Sequence, residues 1–220
     1  MNERKKIVVR HLCETPQYAK ELFPEFDKAE IERHEIGCVD WEKTFPYKPT
    51  VSFRVAHFGK SIGICYEVDE ETVRAVAPHD CGRVWEDSCC EFFFQPVESS
   101  FYYNVECNAA GTLLVAAGME RNNREAAPKK VLDGVDRWSS LGRQPFEEHK
   151  VKGSWQLALI IPIETFFKDK LESLTGLHAK ANFYKCGDLT SKPHFLSWNR
   201  ILIETPDFHR PDFFGDMLFE

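Results

Sequence analysis

Period-two alternation of apolar and polar residues recurs along most of the chain, and it confines the fold to pleated sheet. Val51-Ser-Phe-Arg-Val55 alternates, and Ser61 to Val68 follows as SIGICYEV. Cys89 to Gln95 (CCEFFFQ) and Phe101 to Asn108 (FYYNVECN) come next. The second of these runs through Asn108-Ala-Ala-Gly111 into Thr112 to Ala117, the pattern of a hairpin. Ser154 to Ile161 (SWQLALII) reads as a strand that Pro162 ends, and Ala181 to Cys186, Phe195 to Ile203 and Asp216 to Phe219 complete the set. Ile163 to Leu171 reads as one short helix with Phe166, Phe167 and Leu171 turned inward. Nine or ten strands with one or two short helices predict an all-β fold, an antiparallel, jelly-roll-like β-sandwich. The aromatic share of 13% suits it, because rings pack well on a pleated surface. At 220 residues, without a Gly/Ser linker, repeat or composition break, the expectation is a single unit over residues 1–220.

A net charge of −7 excludes the basic surface that neutralises nucleic-acid phosphates. The one basic run, Arg4-Lys5-Lys6, reads as a solvated start to the chain. No apolar stretch approaches the ~20 residues of a membrane span, and MNERKKIVVRHL lacks the apolar run of a signal peptide. The eight cysteines contain no Cys-x-x-Cys pair, and Cys89 and Cys90 point to opposite faces of one strand. They read as buried free thiols, which fits a reducing compartment and a cytoplasmic location.

Chemistry concentrates between Val84 and Asn108. Along Phe101 to Asn108, Tyr102, Asn104, Glu106 and Asn108 share one face of a strand, and Tyr103, Val105 and Cys107 share the other. The second face is core-like; the first is a row of hydrogen-bonding groups ending in an aromatic ring. Sugars need paired donors and acceptors for their hydroxyls and rings for their C–H faces. A solvated outer sheet face shows the same alternation. The preceding strand favours a site, because Glu91 interrupts an apolar run where an unpaired carboxylate is costly, and Trp85 stands at the turn before it.

Trp85-Glu-Asp-Ser-x-x-Glu-Phe-Phe, followed by Tyr102-Tyr-Asn-x-Glu-x-Asn-x-x-Gly-Thr112, resembles the family 9 carbohydrate-binding modules, and their Bacteroidetes-type relatives most closely. The resemblance continues through Trp155 to Pro162, Asn182-Phe-Tyr184, Ser197-Trp198 and Phe208-His-Arg-Pro-Asp-Phe-Phe-Gly215. It implies a module that clasps a saccharide end unit between two rings while polar groups read its hydroxyls. Matched position by position, the rings fall on Trp85 and Phe208, the acidic group on Glu91, the basic and amide pair on Asn104 and Glu106, and a later amide on Tyr184. Four positions depart from the family pattern: Phe208 replaces a Trp, Asn104 an Arg, Glu106 an Asn and Tyr184 a Gln.

The expected activity is therefore non-catalytic saccharide binding, with a catalytic enzyme as the partner such modules usually serve. Plainer roles exist: Trp85 as a plug over the sandwich edge, Phe208 as packing, Trp155 and Trp198 as core. Glu91 and Glu106 on adjacent strands also meet the carboxylate spacing of a glycosidase. A sandwich that has lost its ligand is the third reading. Haem has no His–Met pair in a strand to hold it. No cofactor is expected; Asp69-Glu-Glu71 and Glu86-Asp87 would offer oxygens to a structural calcium, but neither forms a compact calcium loop.

Overall fold

The computed structural model describes residues 4–220. Residues 1–3, which open the expected 1–220 unit, lie outside the described residues. Among the described residues sixteen strands and two α-helices follow in chain order. They are β1 (Lys6–His11), helix α1 (Leu22–Lys28), β2 (His34–Glu35), β3 (Cys38–Val39), β4 (Thr50–His57), β5 (Ser61–Asp69) and β6 (Thr72–Ala75). Then come β7 (Cys89–Pro96), β8 (Tyr102–Asn108), β9 (Leu113–Gly118), β10 (Glu125–Ala126), helix α2 (Lys129–Gly134), β11 (Asp136–Ser139) and β12 (Phe146–Lys150). The chain ends through β13 (Trp155–Pro162), β14 (His178–Cys186), β15 (Phe195–Ser197) and β16 (Gly215–Phe219).

Two layers face each other. One runs β10-β9-β8-β7-β14-β16 and the other β4-β5-β13-β11. Between them lies the core, built from the alternating residues that period two assigns to one face. Val51, Phe53 and Val55, Ile62, Ile64 and Tyr66, and Trp155, Leu157 and Leu159 meet Phe92, Phe94, Tyr103, Val105 and Phe183. Phe53 of one sheet stacks on Phe183 of the other at 3.7 Å between ring centres. The hairpin at Gly111 forms as expected, with Gly111 at φ +74°, a region L-residues rarely adopt. Asn108 Oδ1 accepts the Ala110 and Thr112 N–H groups and closes the turn.

Residues 1–50 contain no readable motif, yet β1 among them holds the sandwich together. β1 pairs in parallel with β16 through Lys6–Val9, then with β4 through Arg10 and His11. One strand therefore joins the two layers, and the sandwich is mixed rather than wholly antiparallel. On the outer face of the second layer, Leu22, Phe23 and Phe26 of α1 cover Ala56, Cys65 and Ala158.

Two local expectations change. Ile163–Leu171 does not form a helix: after a 3-10 turn over Ile163–Thr165 the chain continues in i→i+3 turns. The Tyr103 hydroxyl accepts the Lys168 N–H and donates to Asp169 Oδ2, which pins the segment to the sheet. Phe166 still enters the core, with Phe167 and Leu171 packed at its edge. The expected strand Phe195 to Ile203 stops at Ser197, because side chains take over from the ladder. Asn182 donates to Asn199 O and accepts from Asn199 N, and Asp40 accepts Ile201 N at 3.1 Å and the Ser197 hydroxyl at 2.5 Å. Trp41 Nε1 donates to Ile203 O. Asp40 and Trp41 thus strap down the segment that leads to Phe208. Asp40→Ala removes two hydrogen bonds to a half-buried acid, so a loss of about 2 kcal/mol is expected in denaturant unfolding.

Candidate functional site

On the face of β7 and β8 turned away from the core, register places Glu91 directly across from Glu106 and Phe93 across from Asn104. Tyr184 of β14 lies across Glu91 on its other side. This is the polar row that alternation separates from Tyr103, Val105 and Cys107. Above it opens a half-open cavity of about 660 Å³, lined by Glu91, Asn104 and Glu106 below and by Trp85 and Phe208 at its walls. Its volume falls within the roughly 300–1,000 Å³ of small-ligand sites.

The wall carrying Trp85 is a 3-10 turn over Val84–Glu86. Asp87, fully buried, holds it: its carboxylate accepts Val76 N, Ala77 N and the Asn108 amide, with Arg74 at 3.3 Å. Trp85 is half-buried, and the Arg83 guanidinium sits 5.8 Å from its ring centre. The opposite wall, Asp207 to His209, is reached through the Asp40–Trp41 strap.

Phe208 has only one free face. The Tyr184 ring lies under it at 4.1 Å and an angle of 5°, and the Tyr184 hydroxyl donates to Phe208 O. Tyr184 is fully buried and does not line the cavity. The expectation that it pairs with ligand hydroxyls is corrected: the Phe208 ring and backbone occupy it, and its role is to hold that ring. The other residues named from the sequence, Trp85, Glu91, Asn104, Glu106 and Phe208, all line the cavity.

Glu91 is 2% exposed and Glu106 4%. Burial and the Glu106 carboxylate push Glu91 well above the usual carboxylate range. Burial raises Glu106 to about 7, against the pull of the Asn104 amide and Arg124. Burial thus favours the protonated form of both carboxyls, and a protonated carboxyl can donate as well as accept.

Sequence reading missed Arg124. It reaches in after β9 and places Nε at 2.9 Å and Nη2 at 2.7 Å from Asn104 Oδ1. Its guanidinium covers the Tyr102 ring at 4.1 Å. The amide Nδ2 of Asn104 is thereby turned toward Glu106 Oε1, at 2.8 Å. A guanidinium thus stands beside Asn104. The only sequence signal was a polar, irregular stretch from Arg121 onward, which carries no period to place it.

His209 accepts or donates at 3.0 Å with the Tyr102 hydroxyl, and burial with Arg124 and Arg121 nearby lowers its pKa to about 3. Folding therefore excludes a proton that the unfolded chain takes up near pH 6.5. This contribution is present above 6.5 and is lost progressively as pH falls toward 3. At pH 5, 1.5 units below 6.5, wild type should lose about 2 kcal/mol relative to a His209→Asn variant, each measured against its own stability at pH 7.5. A constant difference between the two across urea melts at pH 7.5, 6 and 5 contradicts this.

Of the residues named for calcium, Glu70, Glu71, Glu86 and Asp87 have protein partners. Glu70 accepts from Trp155 Nε1 and pairs with Lys185, Glu71 meets Lys192, Glu86 meets Arg83, and Asp87 holds the turn described above.

The model of carbohydrate-binding family 9 matches residues 21–219. The chain belongs to that family. Among curated proteins none matches. A crystal structure of a candidate carbohydrate-binding protein from Bacteroides uniformis ATCC 8492 is 46% identical, covering 99% of this chain and 100% of that one with a TM-score of 0.95. A family 9 carbohydrate-binding module from Caldicellulosiruptor kristjanssonii, solved with cellotriose, aligns at a TM-score of 0.59 and 11% identity, covering 98% of this chain and 94% of that one. A second structure of a family 9 module from that organism, with glucose, aligns at 0.55 and 11% identity, covering 98% and 96%. At such identity these two support the family 9 sandwich as a fold. Among the described residues no helix is long and apolar enough to cross a membrane.

Proposed function

We propose that the cavity over β7 and β8 holds a saccharide unit, stacked on Trp85 and Phe208 and hydrogen-bonded by Glu91, Asn104 and Glu106. One observation carries this reading: the two rings and the three polar groups line a single cavity, although they come from three separated stretches of chain. Phe208 is backed by Tyr184 and Asn104 by Arg124, so both are oriented before a ligand arrives, which lowers the ordering cost of binding. Carboxyls that burial biases toward the neutral form suit an uncharged polyol, whose hydroxyls need both donors and acceptors. The relatives' complexes make glucose and short β-glucans the first ligands to try.

Binding without catalysis is the better reading of the carboxylates. Glycoside hydrolysis needs one protonated acid and one ionised partner flanking the bond, about 5–10 Å apart. Here Glu91 and Glu106 are direct cross-strand neighbours on one floor, and both are raised by burial. Such a module would serve polysaccharide breakdown by keeping a catalytic partner at its substrate. Calorimetric titration with glucose, cello-oligosaccharides and a broader glycan panel tests the reading. Saturable binding of one saccharide per chain, with no reducing sugar released on prolonged incubation, is the expected result. A blank across the panel refutes saccharide binding, and release of sugar refutes the non-catalytic assignment.

A further inference from the structure

Beneath the saccharide cavity, at the end of β7 and β14, three metal-ligating side chains converge. Cys89 and Cys186 are direct cross-strand partners. Their sulfurs and a Glu91 carboxylate oxygen all lie within 4.8 Å of one another, and all three residues are buried. The Cys186 thiol donates to Glu91 Oε1 at 3.0 Å.

We propose that Cys89, Cys186 and Glu91 form a site for one thiophilic divalent cation of the zinc class, with the fourth position open toward the cavity. Two sulfurs and carboxylate oxygen suit a tetrahedral ion with metal–sulfur bonds of about 2.3 Å, whose ligands stand about 4 Å apart. Calcium and magnesium, which take six or more oxygens or keep their waters, do not fit two thiols. Entry is through the cavity, since Glu91 and Cys186 both line it. Binding releases to solvent the protons of both thiols, and that of the Glu91 carboxyl where it is protonated, as two metal–sulfur bonds and one metal–oxygen bond form. The site shares Glu91 with the saccharide floor, but its two sulfurs belong to neither ring nor polar row, and metal binding is read without saccharide present.

The test uses the full chain with its two exposed thiols removed, Cys13→Ser/Cys81→Ser, kept reduced during purification. Titration with Co²⁺ and with Cd²⁺ should give one equivalent bound and thiolate-to-metal charge-transfer absorption, and native mass spectrometry with Zn²⁺ should show one ion per chain. Adding Cys186→Ser should weaken binding more than about 100-fold, beyond the 10–100-fold typical of outer-shell changes. Where that variant fails to fold, the near-isosteric Glu91→Gln should weaken binding and shift the Co²⁺ spectrum. The site is overturned if the reduced protein binds no metal at one equivalent or if binding survives both substitutions. It is also overturned if peptide mapping finds a Cys89–Cys186 disulfide and no bound metal, an outcome their cross-strand geometry allows. A saccharide blank leaves these readouts untouched, so the two readings fail separately.

Discussion

Trp85→Ala should lower saccharide affinity at least about 30-fold, a loss of roughly 2 kcal/mol or more, while leaving the fold nearly as stable as wild type. Trp85 is half-buried on a 3-10 turn and sits at the edge of a small cluster with Val84 and Cys89 rather than in the main core. The turn is held by Asp87 and not by the indole. Removing the ring therefore takes away contact area in the cavity with little effect on the sandwich. Phe208→Ala should weaken binding to a similar degree but also cost stability, because it uncovers the ring of Tyr184. Trp85→Phe should keep part of the affinity. Calorimetry on the three variants, with thermal melts alongside, decides the matter: unchanged affinity in Trp85→Ala removes stacking from the account.

The largest effect on the fold itself is expected from Lys185→Met, about 3–5 kcal/mol in denaturant unfolding. Lys185 and Glu70 form an ion pair at 3.0 Å with both side chains fully buried. Glu70 Oε1 also accepts from Trp155 Nε1 at 2.8 Å, and Lys185 Nζ donates to Cys186 O at 2.9 Å. Burial alone would lower the Lys185 pKa, but the Glu70 carboxylate outweighs it and the net direction is upward. His194, driven well below its usual range by burial and by Lys185, is neutral and accepts from Lys185 Nζ at 2.6 Å. Methionine fills much of the same volume and leaves the buried Glu70 carboxyl without its cation. Adding Glu70→Gln to Lys185→Met should recover part of the loss, since it neutralises the orphaned acid and keeps an acceptor for Trp155. A double variant no more stable than Lys185→Met alone argues against the pair as the source.

Much of the sheet and one face of the site are legible from local pattern. Period two is a property of a single strand, so SIGICYEV, CCEFFFQ and SWQLALII each announce both their conformation and their inward face. The same rule sorts Asn104 and Glu106 from Tyr103 and Val105 without knowledge of any neighbour. It also marks Glu91 as a charge among apolar residues, and the motif that follows Trp85 leads to the family and to Phe208.

What the tertiary structure alone decided involves residues far apart in the chain. β1 meets β16 and β4 in parallel, a pairing that carries no turn signal and spans almost the whole sequence. Arg124 lies on Asn104, Tyr184 lies under Phe208, and Glu70 meets Lys185 across 115 residues, each through a register that loops and neighbouring strands set together. Alternation says which way a side chain points from its own strand. It does not say which strand lies alongside, or which charge stands opposite. Those partners decide whether a buried carboxylate is paired, whether a tyrosine reads ligand or props a ring, and whether two cysteines stand apart or together.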